Sequence, residues 1–156
     1  MEIVEHVGRP DVLTLVSEYP GVGPERLWAY WTQPELLLRW WPRQAETDVR
    51  DGGMYHLAWP EQGFHLRGHY TAVDPAHLLA FTWAWDGEPE GTAPKQVTVL
   101  FEPLSGGALD DGTRLTLTHG MYAGTPKDRE ARQHHLDGWR HFLPRLDEAL
   151  RTDTGA

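Results

Sequence analysis

The feature that most constrains this chain is a run of helical periodicity towards its end. Between Pro126 and Arg151, Leu136, Trp139, Leu143, Leu146 and Leu150 recur at three- and four-residue spacing, which draws one apolar stripe down the longest helix. A stripe of that length is stable only against a second apolar surface. The stretch from Ala45 to His119 can supply it, because short Val-, Leu- and aromatic-rich runs alternate there with turn signals. Met54 to Trp59, Phe64 to Val73, His77 to Trp85, Lys95 to Phe101 and Thr113 to His119 read as strands. Asp51-Gly52-Gly53 is predicted to be a tight hairpin turn and Asp74-Pro75 another. Asp86 to Pro94 reads as a looser polar loop, and Ser105 to Gly112 as a Gly/Asp-rich connection. Strands joined this closely form an antiparallel meander.

Before the meander, Asp11 to Glu18 reads as the first strand, ended by Pro20-Gly21-Val22-Gly23-Pro24. Pro24 suits the first turn of a helix, and Leu27, Trp28, Tyr30 and Trp31 continue it to about Thr32-Gln33-Pro34. A second short helix is predicted over Glu35 to Trp41, closed by Pro42. The fold class is therefore α+β: a curved antiparallel sheet wrapped around a long C-terminal helix, with two short helices after the first strand. Pro144 falls inside the long helix and is expected to kink it or restart it, at about 3 kcal/mol if unrelieved. Gly138 gives up about 1 kcal/mol of helix propensity relative to Ala, so a close approach to the backbone is expected there.

The 156 residues suit a single domain, 1–156, with its core in 11–150 and short flexible tails. A net charge of −9, with no Lys/Arg-rich run, argues against nucleic acid and anionic membrane surfaces as partners. The longest apolar run, Leu78 to Trp85, falls far short of the roughly 20 residues a membrane helix needs. No basic cluster followed by an apolar stretch opens the chain, so a cytoplasmic location is expected. The absence of cysteine removes disulfides and thiolate chemistry. Among the 9 histidines, His65 and His69 along one strand, and His134, His135 and His141 along the helix, lack ligand spacing, so neither a metal site nor a cofactor is expected. There is no nucleophile elbow and no phosphate loop.

Four segments carry a resemblance: Pro24-Glu25-Arg26-Leu27-Trp28 through Arg39-Trp40-Trp41-Pro42; Asp51-Gly52-Gly53 leading into Tyr55; Gly112 to His119; and Gly138-Trp139. Their order resembles the helix-grip fold of the START-like (SRPBCC) superfamily, and within it the family of homologues of the activator of the heat-shock-protein-90 ATPase. The resemblance implies a cavity between sheet and helix, and leaves the chemistry open. Three roles stay in play: binding of a small or medium apolar ligand, an enzyme of polyketide cyclase or hydrolase type, and a co-chaperone-like protein that stimulates a chaperone ATPase. A homodimer is also left open.

Strand alternation puts Leu79, Phe81, Trp83 and Trp85 on one face and Leu115, Leu117 and His119 on one face of the last strand. These rings could line a pocket or simply pack the core. The candidate ligand-binding residues are Trp41, Tyr55, Phe81, Trp83, Trp85, His119, Met121 and Trp139. His119 is also the candidate acid/base, the alternative being a structural histidine bonded to a loop carbonyl.

Overall fold

The computed structural model describes residues 1–104 and 112–153. Eight strands among them form one antiparallel sheet: β1 (Ile3–His6), β2 (Val12–Pro20), β3 (Gln44–Thr47), β4 (Met54–Trp59), β5 (Phe64–Asp74), β6 (Leu78–Trp85), β7 (Lys95–Pro103) and β8 (Gly112–Gly120). Their spatial order is β1-β2-β8-β7-β6-β5-β4-β3. Two short helices, α1 (Pro24–Thr32) and α2 (Pro34–Leu37), carry the chain from β2 to the far edge at β3, and α3 (Pro126–Thr152) lies across the concave face. This is the expected helix-grip arrangement.

The meander β3 to β8 follows from hairpin connections, but the sheet is completed by a long-range pairing. β2 runs antiparallel to β8 over nine residue pairs, from Val12↔Gly120 to Pro20↔Gly112. Val12 to Tyr19 alternate strictly, so Leu13, Leu15, Ser17 and Tyr19 are buried opposite His119, Leu117, Leu115 and Thr113. β1 was not expected. Its four residues alternate in exposure, and it is held by β2 on one side. Glu5 on β1 also accepts a hydrogen bond from Arg132 Nη2 of α3 at 3.2 Å.

Three boundaries differ from expectation. Asp51-Gly52-Gly53 is not a two-residue turn; the β3–β4 connection is the six residues 48–53, and its glycines bond sideways to β5. Gly52 N donates to Tyr70 O and Tyr70 N to Gly53 O, both at 2.8 Å. The second helix is shorter than predicted because Pro34 takes its first position and the chain unwinds into turns after Leu37. α3 runs as one element through Pro144, whose ring faces solvent while Leu143 and Leu146 on either side are buried. Solvent can serve the Arg140 carbonyl that proline leaves without its N–H, so the helix is not ended there. The connection expected over Ser105 to Gly112 lies, apart from Gly112, outside the described residues.

α3 begins with Thr125 as N-cap, whose hydroxyl accepts from Asp128 N at 3.2 Å, and with Pro126 in the first turn. At its far end Arg26 of α1 donates to Leu150 O at 2.8 Å, which satisfies a terminal carbonyl. Tyr30 of α1 donates to Asp153 at 2.7 Å beside it. The predicted stripe is the buried face: Leu136, Trp139, Leu143, Leu146 and Leu150 are each at most 5% exposed.

Candidate functional site

The sheet curls because β5 and β6 slip register at a bulge between Tyr70 and Ala72, and because Gly68 carries no side chain. A Cβ on Gly68 would strike the Thr82 carbonyl and approach a Tyr55 ring carbon to 2.7 Å. The Tyr55 ring occupies that space, and its hydroxyl donates to Thr82 O. Curvature separates the outer part of the sheet from the first half of α3. A cavity of about 800 Å³ opens between them.

Its walls are tryptophan-rich. Trp83 and Trp85 come from β6, Trp59 from β4, Trp41 from the turn after α2, and Trp139 and Phe142 from α3. Trp41 and Trp83 lie nearly parallel at 5.9 Å and 22°. Trp85 stands at 89° to Trp83, 5.6 Å away. Trp59 is fixed by a bond from its Nε1 to Trp41 O at 3.1 Å. The rim is polar, with Asp86, Glu88, Thr92 and Lys127 among its residues.

Of the eight residues expected to line a site, the structure brings Trp41, Trp83, Trp85 and Trp139 together here. Tyr55 and Phe81 lie further along the sheet, beyond the cavity, against Tyr70 and a void of only about 10 Å³. They pack the curve of the sheet instead of lining the cavity. Met121 is 61% exposed, one residue beyond the end of β8 at Gly120, and does not line the cavity. His119 is fully buried, one layer behind the cavity wall.

The polar end of the cavity centres on His135, whose place beside His134 in the sequence carries no sign of a ligand contact. Its ring stacks on His119 at 4.1 Å and 7°. His119 Nδ1 accepts from Trp139 Nε1–H at 3.1 Å, so the partner of this histidine is an indole and not a loop carbonyl, and His119 Nε2 is sealed without a partner among the described residues. Burial, reinforced by His135 and Lys95, pushes His119 well below its ordinary value. Burial, with Lys95 and His134 adding to it, lowers His135 to about 4. Both imidazoles are therefore neutral near pH 7. Tyr122 OH lies 2.7 Å from His135 Nδ1. Lys95, also on the wall, pairs with Asp128 at 3.0 Å, and both are about one-fifth exposed.

Gly138 lines the cavity, and a Cβ there would meet nothing within 4 Å. The expected close approach is absent; what lies beside the glycine is open space. On the opposite side of the sheet fold, His56 Nε2 and His65 Nδ1 meet at 2.9 Å across β4 and β5. Spacing along one strand could not show that pair, because register brings it together. Among the described residues no group of three or more His, Asp or Glu gathers as a metal site would need. No described helix is long and apolar enough to cross a membrane.

A curved antiparallel sheet gripping one long helix, with an aromatic cavity between, defines a helix-grip domain. The model of the family described as Activator of Hsp90 ATPase homolog 1-like protein matches residues 22–151, and the chain belongs to that family. No curated protein matches it. Among solved structures it is similar to a protein from Mesorhizobium loti, with 25% identity, TM-score 0.74, and 90% of this chain and 98% of that one covered. An HSP90 activator from Plasmodium falciparum shares the fold at 24% identity and TM-score 0.69, over 89% of this chain and 95% of that one. A protein of the dynemicin biosynthetic locus does so at 20% identity and TM-score 0.72, over 91% of this chain and 48% of that one.

Proposed function

We propose that this chain is a binding protein for a small or medium apolar molecule, held in the cavity between sheet and α3. One observation carries the reading: about 800 Å³ of open space is walled by tryptophan and phenylalanine rings. That volume is in the range of small-molecule sites, where apolar walls supply affinity and a few polar groups set orientation. Rings that served only to fill the core would have closed on one another, since protein interiors leave few voids larger than a water molecule. The test is native mass spectrometry of the purified protein, followed by extraction of whatever is bound. An apolar molecule at one-to-one stoichiometry is expected. A chain that stays empty and fails to take up any of a panel of apolar aromatic probes would overturn the reading.

A second reading, stimulation of a chaperone ATPase, draws on family membership and on the likeness to the Plasmodium falciparum activator. It predicts a rise in Hsp90 ATPase rate on addition of this chain. No change at saturating concentration would dismiss it.

A further inference from the structure

The hydrogen positions at the polar end of the cavity follow from the partners. Tyr122 is 4% exposed, and His135 Nδ1 at 2.7 Å is the only hydrogen-bond partner its hydroxyl has among the described residues. Were Nδ1 protonated, the phenolic hydrogen would be left buried without an acceptor, which is costly. Burial raises the Tyr122 hydroxyl far above its ordinary value, so the phenol keeps its proton and donates. Nδ1 accepts, and a neutral imidazole then carries its hydrogen on Nε2. His135 lines the cavity, and its one side-chain hydrogen bond among the described residues is through Nδ1, which leaves Nε2 without a partner there.

The neighbouring groups have the same polarity. Trp139 donates to His119 Nδ1, which places the His119 hydrogen on Nε2, and that N–H is sealed without an acceptor among the described residues. Trp83 Nε1–H is sealed likewise. Among the described residues, the buried polar atoms without a partner at this end of the cavity, His119 Nε2 and Trp83 Nε1, are thus both donors, and Lys95 adds a cation already paired with Asp128. A ligand bringing another donor would leave these groups as they are. A ligand bringing an acceptor oxygen gives His135 Nε2–H the partner it lacks, while the His119 and Trp83 N–H groups behind it stay sealed from the cavity.

We propose that the cavity takes planar aromatic molecules that carry a carbonyl oxygen, with His135 Nε2–H as the group that binds that oxygen. Flat ligands suit walls made of indole faces and edges. The proposal rests on the cavity being a ligand site, and narrows the ligand to one chemical class. His135 is then a specificity-determining residue and Tyr122 a positioning residue that holds its tautomer.

The test uses 9-fluorenone and fluorene, which share a ring frame and differ by C=O against CH₂, titrated by quenching of tryptophan fluorescence and by calorimetry. Wild type should bind the ketone at least about fivefold more tightly, because fluorene buries the Nε2–H without an acceptor. His135→Phe should abolish the preference while still binding fluorene, and Tyr122→Phe should reduce it. Nitrogen-15 NMR of the unmodified protein should show His135 protonated at Nε2, with that resonance shifting on addition of fluorenone. Failure of both probes to bind would overturn the binding reading as a whole. Equal affinity for the two in wild type would overturn recognition of the oxygen alone. A preference that survives in His135→Phe, or a His135 protonated at Nδ1, would overturn the role given to that imidazole.

Discussion

His119 and His135 lie ring on ring at 4.1 Å, and burial keeps both neutral. Unfolding returns each to the ordinary imidazole value, so between pH 6.5 and about 4 the unfolded chain binds more protons than the folded one. The stability they contribute is complete above pH 6.5 and is lost as pH falls through that window. For His135 the loss is up to roughly 3 kcal/mol, given 1.36 kcal/mol per unit. Lys95 and His134 oppose its protonation and Asp128 favours it. Urea unfolding at about pH 7 and about pH 5 should show a lower midpoint at the acid end, and a smaller drop in His135→Phe. Equal drops in both would assign the pH dependence elsewhere. In the sequence, His119 was visible as an imidazole on an apolar strand face, but His135 was only one of two adjacent helical histidines. Nothing local to it says that His119 and Tyr122 close on it.

At the scale of elements, α3 carries two stripes. The one read from the sequence, Leu136, Trp139, Leu143, Leu146 and Leu150, is buried in the core. Beside it Ala131, His135, Gly138 and Phe142 recur at four, three and four residues and face the cavity. This second stripe mixes apolar, polar and glycine positions, so hydrophobic periodicity passes over it. Gly138 and Gly68 show how differently two glycines can be used. Gly138→Ala adds a methyl where nothing lies within 4 Å, and should stabilise the protein by about 1 kcal/mol through helix propensity. Gly68→Ala drives a methyl into the Thr82 carbonyl and the Tyr55 ring, and should destabilise it by about 1–3 kcal/mol or more. Chemical denaturation of the two variants checks both signs. A destabilised Gly138→Ala would mean that something does approach that backbone.

At the scale of the molecule, the cavity links binding to stability. A ligand that binds only the folded state stabilises by RT ln(1 + [L]/Kd), about 2.7 kcal/mol at a hundredfold excess over Kd. For a domain of this size that is a rise in Tm of roughly 5–11 °C. Thermal unfolding with increasing 9-fluorenone should show such a rise, and Gly138→Trp, which puts an indole into the cavity beside His135, should show a smaller one. An equal rise in both would place the probe outside the cavity.

The apolar stripe of α3, the meander from Met54 to His119 and the α+β class were legible because helix and strand periodicities are local properties of the chain. β1 was missed because four alternating residues become a strand only when β2 is there to bond them. Register was equally hidden: the pairing of β2 with β8, the meeting of His56 with His65, and the diversion of Tyr55 and Phe81 away from the cavity all depend on partners distant in sequence. Which faces must be buried is written in the chain, since apolar spacing and backbone period settle it one position at a time. Where burial stops short and leaves space is set by the packed fold, because a cavity belongs to no single element and exists only in the mismatch between a curved sheet and the helix packed against it.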